Sequence, residues 1–150
     1  MRKILFLLFL PLFINAQAEL SAKIPEWLTD YEIALQKAQN EEKNLLVYFT
    51  GSDWCPPCKM LKKDFFDTEE FKTLANEYVL LYIDLPRGRN KISSDQLLHN
   101  QKLLGKLNKR GVFPFIAILN EKEKVLDEIS GYSMDGNTKN HLKILRRHKR

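Results

Sequence analysis

The chain has 150 residues, of which 44% are hydrophobic and 29% are charged, with a formal net charge of +5. This length and composition predict one compact domain with one buried core and make a second domain unexpected. The charge excess is too small to indicate nucleic-acid binding, and two cysteines are too few for a small domain held together by disulfides.

The N-terminus has the pattern of a secretory signal peptide. Two basic residues precede an apolar run from Ile4 to Ile14, which is followed by the small-residue pattern Ala16-Gln17-Ala18. An uncleaved membrane anchor is the alternative, but the run is about half of the roughly 20 residues that a membrane span requires. The sequence therefore predicts a signal peptide over residues 1–18 and a mature domain over residues 19–150, exported to the periplasm or secreted.

The first half of the domain alternates between helical and strand patterns. Apolar residues recur at helical spacing after Thr29, and the run that begins at Asn44 is rich in strand formers. A proline in the first helical turn loses no hydrogen bond, so Pro56 and Pro57 are compatible with a helix that begins at Cys55. The predicted elements are, in chain order, a helix over residues 29–43, a strand over 44–49, a turn over 50–53, helices over 55–66 and 67–75, and a strand over 78–85.

The second half begins with a polar, basic stretch over residues 87–94. The predicted elements that follow are a helix over 95–108 capped by Asp95, strands over 115–119 and 124–129 joined as an antiparallel hairpin that ends at Gly131, and an amphipathic helix over 137–148. Helices and strands in this order predict an α/β fold with a mixed β-sheet and helices on both faces.

The two cysteines, Cys55 and Cys58, lie at the junction between a predicted strand and a predicted helix. In an oxidising compartment such a pair forms a disulfide unless it is actively reduced. A bridge across so short a loop removes little entropy from the unfolded chain, so stabilisation is a weak explanation for it. The spacing instead suits thiol–disulfide exchange, in which one thiolate attacks and a second thiol nearby releases the mixed disulfide.

The segment around these cysteines resembles the active site of the thioredoxin-like superfamily. Trp54, Cys55, Pro57, Cys58 and Lys59 match the thioredoxin motif residue by residue, with Pro56 in place of the usual glycine. The longer string that begins at Gly51 resembles an exported bacterial branch of that superfamily. The resemblance implies a thioredoxin fold and a thiol:disulfide oxidoreductase without cofactor or metal, in which Cys55 is the nucleophile and Cys58 the resolving thiol.

A second motif supports the resemblance. Residues 110–114 end in Phe113-Pro114 just before a predicted strand, where the family has a cis-proline that faces the cysteines. The resemblance therefore implies that Trp54, Phe113 and Pro114 bind the substrate. The stretch from Cys58 to Pro114 is longer than in a minimal thioredoxin, and the polar region over residues 87–101 accounts for the added length.

The residues between and beside the cysteines bear on the direction of electron flow. A helix N-terminus favours the Cys55 thiolate, but Pro56 and Pro57 provide no N–H group to stabilise it further. Because strongly oxidising relatives carry a histidine between the cysteines, Pro57 favours a reductase of disulfides in exported client proteins over a disulfide-forming oxidase or an isomerase. The family also implies a monomer that receives electrons from a membrane-embedded thiol donor.

One departure from the family pattern affects proton transfer. Thioredoxins place a buried aspartate in the strand before the active site, and Tyr48 occupies that position here. Asp53 and Lys59 are closer to the cysteines in sequence but are expected to face solvent. No residue is therefore assigned the role of the buried acid.

Two other interpretations remain open. A zinc site would combine the cysteines with two histidines on other elements, but no second clustered ligand pair exists, and two of the candidates lie on a predicted surface helix. The histidines considered are His99, His141 and His148. The second interpretation is a non-catalytic thioredoxin-like binding module whose disulfide is structural, and the intact pair of attacking and resolving cysteines argues against it.

Overall fold

The computed structural model describes residues 25–150, so the predicted signal peptide lies outside the described residues. Within the described part, no helix combines the length and the apolar character needed to cross a membrane. The elements are β1 (Trp27–Leu28), α1 (Tyr31–Asn40), β2 (Asn44–Thr50), α2 (Pro56–Leu61), a π-helical turn (Lys62–Phe66), α3 (Glu69–Ala75), β3 (Tyr78–Asp84), α4 (Ser94–Leu107), β4 (Phe115–Leu119), β5 (Val125–Ser130) and α5 (Lys139–His148).

The five strands form one mixed sheet in the order β1-β3-β2-β4-β5. Strand β2 pairs in parallel with β3 and antiparallel with β4, while β4 and β5 form the predicted antiparallel hairpin. In this register Thr50 lies opposite Asp84, and Phe49 lies opposite Phe115. The end of β2, the end of β3 and the start of β4 therefore meet at one edge of the sheet.

Alternation of side chains along the strands produces two cores, one on each face. Leu45, Val47 and Phe49 of β2 pack toward α1 and α4, whereas Leu46 and Tyr48 pack toward α2, α3 and α5. Every residue of β2 is buried, as expected for a central strand covered on both faces. The predicted α/β class, with helices on both faces of a mixed sheet, is confirmed.

Three helices begin with the side-chain caps that short polar residues provide. Asp30 accepts a hydrogen bond from the Ile33 N–H at 2.9 Å, and Thr68 likewise caps α3. For α4 the predicted cap, Asp95, is wrong. Ser93 has the extended backbone of a cap and accepts from the Gln96 N–H at 3.1 Å, which places Asp95 inside the first turn.

Two further elements differ from the sequence-based expectation. Strand β1 was not predicted, since two residues are too few to show a periodic pattern, and it is defined by its parallel pairing with Leu80 and Leu81 of β3. The predicted helix over residues 55–66 consists of α2 followed by the π-helical turn, which buries Phe65 and Phe66 together in the core.

His141 was expected on the surface of the last helix, and this expectation is wrong. The residue is only 4% exposed and packs against Phe65 and Tyr132, with ring centroids 5.4 and 5.8 Å apart. Within the described part of the chain, its Nδ1 atom has no hydrogen-bond partner. Burial therefore holds the pKa of His141 below its usual value of 6.5.

The lowered pKa of His141 predicts a loss of stability in mild acid. The unfolded chain takes up a proton at this residue near pH 6.5 and the folded chain only at lower pH, so the free energy of unfolding falls as the pH drops through that window. One such group contributes at most about 1.4 kcal/mol per pH unit. Urea denaturation between pH 7 and pH 5 is expected to show a shallower decline for His141→Leu than for the wild type. Parallel declines would contradict this prediction.

Candidate active site

The two cysteines lie where β2 leads into α2, at the sheet edge described above. Cys55 is the N-cap of α2, and Cys58 lies in its first turn. Their sulfur atoms form a disulfide with an S–S distance of 2.07 Å, and each residue is only 2% exposed. The structure therefore represents the oxidised form, with the bond between the two residues that the sequence suggested for exchange chemistry.

The backbone around Cys55 provides limited stabilisation for a thiolate. The Cys58 N–H donates to the Cys55 sulfur at 3.3 Å. Pro56 and Pro57 fill the two helical positions between the cysteines and have no N–H to donate. One N–H and the short helix dipole favour a thiolate at Cys55, whereas within residues 25–150 no N–H donates to the Cys58 sulfur. The two cysteines are equally buried, but Cys55 is better placed to form a stabilised thiolate because it is the N-cap of α2.

Hydrogen bonds connect the turn before Cys55 to the end of β3. The Asp84 carboxylate accepts hydrogen bonds from the Ser52 N–H at 2.9 Å and the Ser52 hydroxyl at 2.6 Å. The backbone ladder also continues past the strands, since the Leu85 N–H donates to the Thr50 carbonyl at 2.9 Å. These bonds hold the active-site turn against a strand 32 residues away in sequence.

Asp53 connects the same turn to the loop after β3 through hydrogen bonds. Its carboxylate accepts from the Gly88 N–H at 2.7 Å and from the Arg87 N–H at 3.1 Å. These two backbone bonds lower the pKa of Asp53 below its usual value. Asp53 is partly exposed and Lys59 is exposed, as expected, and the two bonds give Asp53 a structural role that the sequence did not indicate.

Trp54 lies between three parts of the site. Its indole N–H donates to the Leu85 carbonyl at 2.8 Å, and its ring meets the Phe113 ring edge-on at 5.4 Å between centroids. The Arg87 guanidinium lies over the same ring, 4.1 Å from its centroid. Gly51 makes this position possible, because a Cβ at residue 51 would lie 2.3 Å from the indole.

The Phe113–Pro114 peptide bond, immediately before β4, is cis. Pro114 is buried, and its carbonyl accepts from the Gly131 N–H at 2.8 Å. Gly131 ends the hairpin with a φ of 76°, a conformation that favours glycine. The contact between Phe113 and Trp54 therefore brings the second sequence motif beside the first.

Tyr48 occupies the position where thioredoxins have a buried acid. Its hydroxyl lies 3.3 Å from both the Cys58 carbonyl and the Thr50 hydroxyl, and burial raises the pKa of Tyr48 to about 12. The neighbouring Tyr82 ring lies 5.9 Å away, and burial raises its pKa as well. Tyr48 is consequently protonated near neutral pH and cannot accept the Cys58 proton.

The candidate zinc ligands do not converge. Cys55 and Cys58 are bonded to each other, His141 of α5 is buried in the core, and His148, also on α5, lies 3.1 Å from Asp127. The His99 ring lies beside the first residue of α1. Across residues 25–150, no group of three or more histidine, cysteine or acidic side chains is arranged to hold a metal ion.

Comparison with known proteins identifies the family. The thioredoxin-like family model matches residues 26–121, which cover most of the sheet and the entire active-site segment. The chain belongs to the thioredoxin-like family. The resemblance that the sequence motifs suggested is therefore confirmed, and the matched range contains both motifs.

Two curated relatives come from Chlamydia pneumoniae. The chain is 30% identical to the thioredoxin-related protein DsbJ over 71% of its own length and 30% of the relative. It is 29% identical to the disulfide bond reductase DsbH over 64% of its own length and 57% of the relative. The chain thus spans less than two thirds of either curated relative.

A solved structure of a DsbH oxidoreductase has the same fold. It superposes with a TM-score of 0.67 at 24% identity, covering 81% of this chain and 84% of that one. At this identity the likeness supports the thioredoxin-like fold and carries no further conclusion.

Some residues of the site were missed by the sequence analysis. Ser52, Asp84 and Arg87 received no role, yet they fix the active-site turn and cover Trp54. Asp84 ends a strand whose other residues are all hydrophobic, and a carboxylate at such a position is a signal that could have drawn attention to it.

Proposed function

We propose that the protein is a thiol:disulfide oxidoreductase that reduces disulfides in client proteins. The observation that carries the proposal is the Cys55–Cys58 disulfide at the first turn of α2, beside Trp54 and the Phe113–Pro114 segment. The names of the two curated relatives, a disulfide bond reductase and a thioredoxin-related protein, support the same class of reaction.

The reaction would proceed by two exchanges that start from the dithiol form. The Cys55 thiolate attacks one sulfur of the client disulfide and forms a mixed disulfide, and the other client sulfur leaves as a thiolate that takes up a proton. Cys58, deprotonated, then attacks the Cys55 sulfur, which releases the second client thiol and forms the Cys55–Cys58 disulfide. Two electrons pass from the protein to the client.

The client chain would bind beside Trp54 and Phe113. Trp54 presents a half-buried aromatic ring next to the disulfide, and Phe113 packs against it. Phe113 and Pro114 lie immediately before Phe115, the first residue of β4. An extended client chain could therefore form backbone hydrogen bonds with this segment by strand addition. In this proposal Trp54, Phe113 and Pro114 form the substrate-binding surface.

The direction proposed is reduction. Cys55 has one N–H donor and two prolines without N–H groups, which leaves its thiolate without the strong stabilisation that makes a disulfide highly oxidising. A disulfide-forming oxidase or isomerase is the second candidate, and a non-catalytic binding module is the third. These three candidate functions predict different redox behaviour of the Cys55–Cys58 pair.

A reductase that starts each cycle as a dithiol needs a reductant. We propose an external dithiol donor, embedded in the membrane, that attacks the Cys55–Cys58 disulfide by the same exchange chemistry. We also propose export, which rests on the basic start, apolar run and Ala16-Gln17-Ala18 pattern of the N-terminus. N-terminal sequencing of periplasmic material should begin at Glu19, and an unprocessed N-terminus would contradict cleavage.

The equilibrium reduction potential of the Cys55–Cys58 pair tests the proposed direction. In a dithiothreitol or glutathione series, followed by Trp54 fluorescence and thiol alkylation, we expect a value near the roughly −270 mV of reducing thioredoxins. A Cys55→Ser/Cys58→Ser double variant controls for changes of fluorescence unrelated to the disulfide. A value of about −120 mV, which is typical of a strong disulfide oxidant, would instead favour a disulfide-forming enzyme. Reduction only on unfolding would favour the structural disulfide.

A further inference from the structure

A group of cations surrounds the candidate active site. The segments over residues 51–60 and 85–93 contain one carboxylate, Asp53, and four cations. These cations, called here the basic rim, are Lys59, Arg87, Arg89 and Lys91, and all four are exposed. The rim includes the polar, basic stretch after β3 that the proposed exchange chemistry does not use.

The cations of the basic rim form no ion pairs within the described part of the chain. Within residues 25–150, none of the four cations lies within 4.0 Å of a carboxylate oxygen. The cations at the C-terminus differ in this respect. Arg146, Arg147 and Arg150 pair with Glu70, Asp127 and Glu121.

The one carboxylate of the two segments is already occupied. The Asp53 carboxylate accepts hydrogen bonds from the backbone N–H groups of Arg87 and Gly88, so both of its oxygens are bonded to the loop backbone and not to a side-chain cation. The same two bonds fix the loop against the active-site turn. Asp53 therefore holds the loop of the basic rim against the turn before Cys55 and offsets only part of the charge of the rim.

Arg87 connects the basic rim to the proposed substrate-binding surface. Its guanidinium lies 4.1 Å from the centroid of the Trp54 ring, and the Trp54 ring contacts Phe113. A client chain that lies along Trp54 and Phe113 would therefore pass a fixed positive charge, with Arg89 and Lys91 following in the same loop.

We propose that the basic rim selects client disulfides that are flanked by acidic residues. This inference rests on the proposed function, since it describes which clients the exchange reaction accepts. Complementary charge around a binding site mainly raises the rate of productive encounter, and the effect falls with salt because exposed charges are screened over about 8 Å at physiological ionic strength. The preference should therefore be largest at low salt.

Three disulfide peptides of the same length test the inference. One carries aspartate and glutamate around its disulfide, one carries lysine and arginine, and one is neutral. With the reduced wild-type protein in excess over the peptide at low salt, we expect the second-order rate constant of a single turnover to be about tenfold or more higher for the acidic peptide than for the basic peptide. Addition of 0.5 M salt, about three times the physiological level, should remove most of this difference.

A charge-removal variant assigns the preference to the basic rim. The variant Arg87→Gln/Arg89→Gln/Lys91→Gln is expected to lose most of the preference, measured as the ratio of the rate constants for the acidic and the basic peptide, so that any general change of rate cancels. The matched control removes three cations at the opposite end of the sheet, around the start of β2 and the β4–β5 turn, and should keep the preference. Its substitutions are Lys43→Gln, Lys122→Gln and Lys124→Gln.

The peptides separate failure of this inference from failure of the proposed function. Equal rates for the acidic and basic peptides, or an equal loss of preference in the two triple variants, would contradict the role of the basic rim while reduction of the neutral peptide still supports the oxidoreductase. A wild-type protein that reduces none of the three peptides would contradict the proposed function and, with it, the inference.

Discussion

A Cys58→Ser variant is expected to accumulate a covalent complex with a client disulfide, and a Cys55→Ser variant is expected to form none. Cys55 caps α2 and its sulfur accepts the Cys58 N–H, so its thiolate is the better stabilised attacker. Without Cys58 the mixed disulfide has no neighbouring thiol to resolve it. Both variants should lose multiple turnover down to the uncatalysed background.

Non-reducing electrophoresis and intact mass after incubation with a disulfide peptide measure this trapping. The Cys58→Ser protein should gain the mass of one peptide chain and lose it on addition of dithiothreitol. The Cys55→Ser/Cys58→Ser double variant controls for non-specific association. Trapping by Cys55→Ser alone would reverse the roles assigned to the two cysteines, and equal trapping by both single variants would contradict the assignment.

Truncation of Phe71 is expected to cause one of the largest losses of stability in the chain. Phe71 is fully buried, and its ring contacts Phe65, Phe66 and Trp27 at centroid distances of 5.1, 4.9 and 6.1 Å. Phe71→Ala would leave a cavity within this aromatic cluster, for which losses of about 3–5 kcal/mol are typical. The free energy of unfolding of the oxidised protein, from urea denaturation followed by far-UV circular dichroism, measures the effect.

Ile33→Ala is the matched control for this substitution. Ile33 lies on α1 and is 57% exposed, so its truncation should change the free energy of unfolding by no more than about 0.5 kcal/mol. A loss below about 1 kcal/mol for Phe71→Ala would mean that the cluster closes around the missing ring, and would contradict the rigid packing described here.

The sequence predicted those parts of the fold that depend on local periodicity. Strands β2 and β3 are continuous apolar runs, which is the pattern of strands covered on both faces, and the β4–β5 hairpin follows from two runs joined by a polar turn. Strand β1 and the burial of His141 depend on contacts with distant elements. Local patterns contain no information about such contacts.

The candidate site likewise contains residues that local motifs predict and residues whose roles depend on distant contacts. Cys55, Cys58 and the Phe113–Pro114 segment belong to short motifs that can be read directly from the chain. The hydrogen bonds of Asp53 and Asp84 join residues more than 30 positions apart, and no motif assigns either acid this role. Their roles became visible only when the ends of β2 and β3 were placed side by side.

The close approach between Gly51 and Trp54 has a consequence for how this segment evolves. The indole fills the space that a side chain at residue 51 would need, at 2.3 Å from the position of its first carbon. A larger residue at 51 therefore displaces the indole from its hydrogen bond with Leu85 and its contact with Phe113. The two positions should covary: among homologues that retain this tryptophan orientation glycine should be retained at 51, and larger residues should arise there together with a smaller side chain at 54.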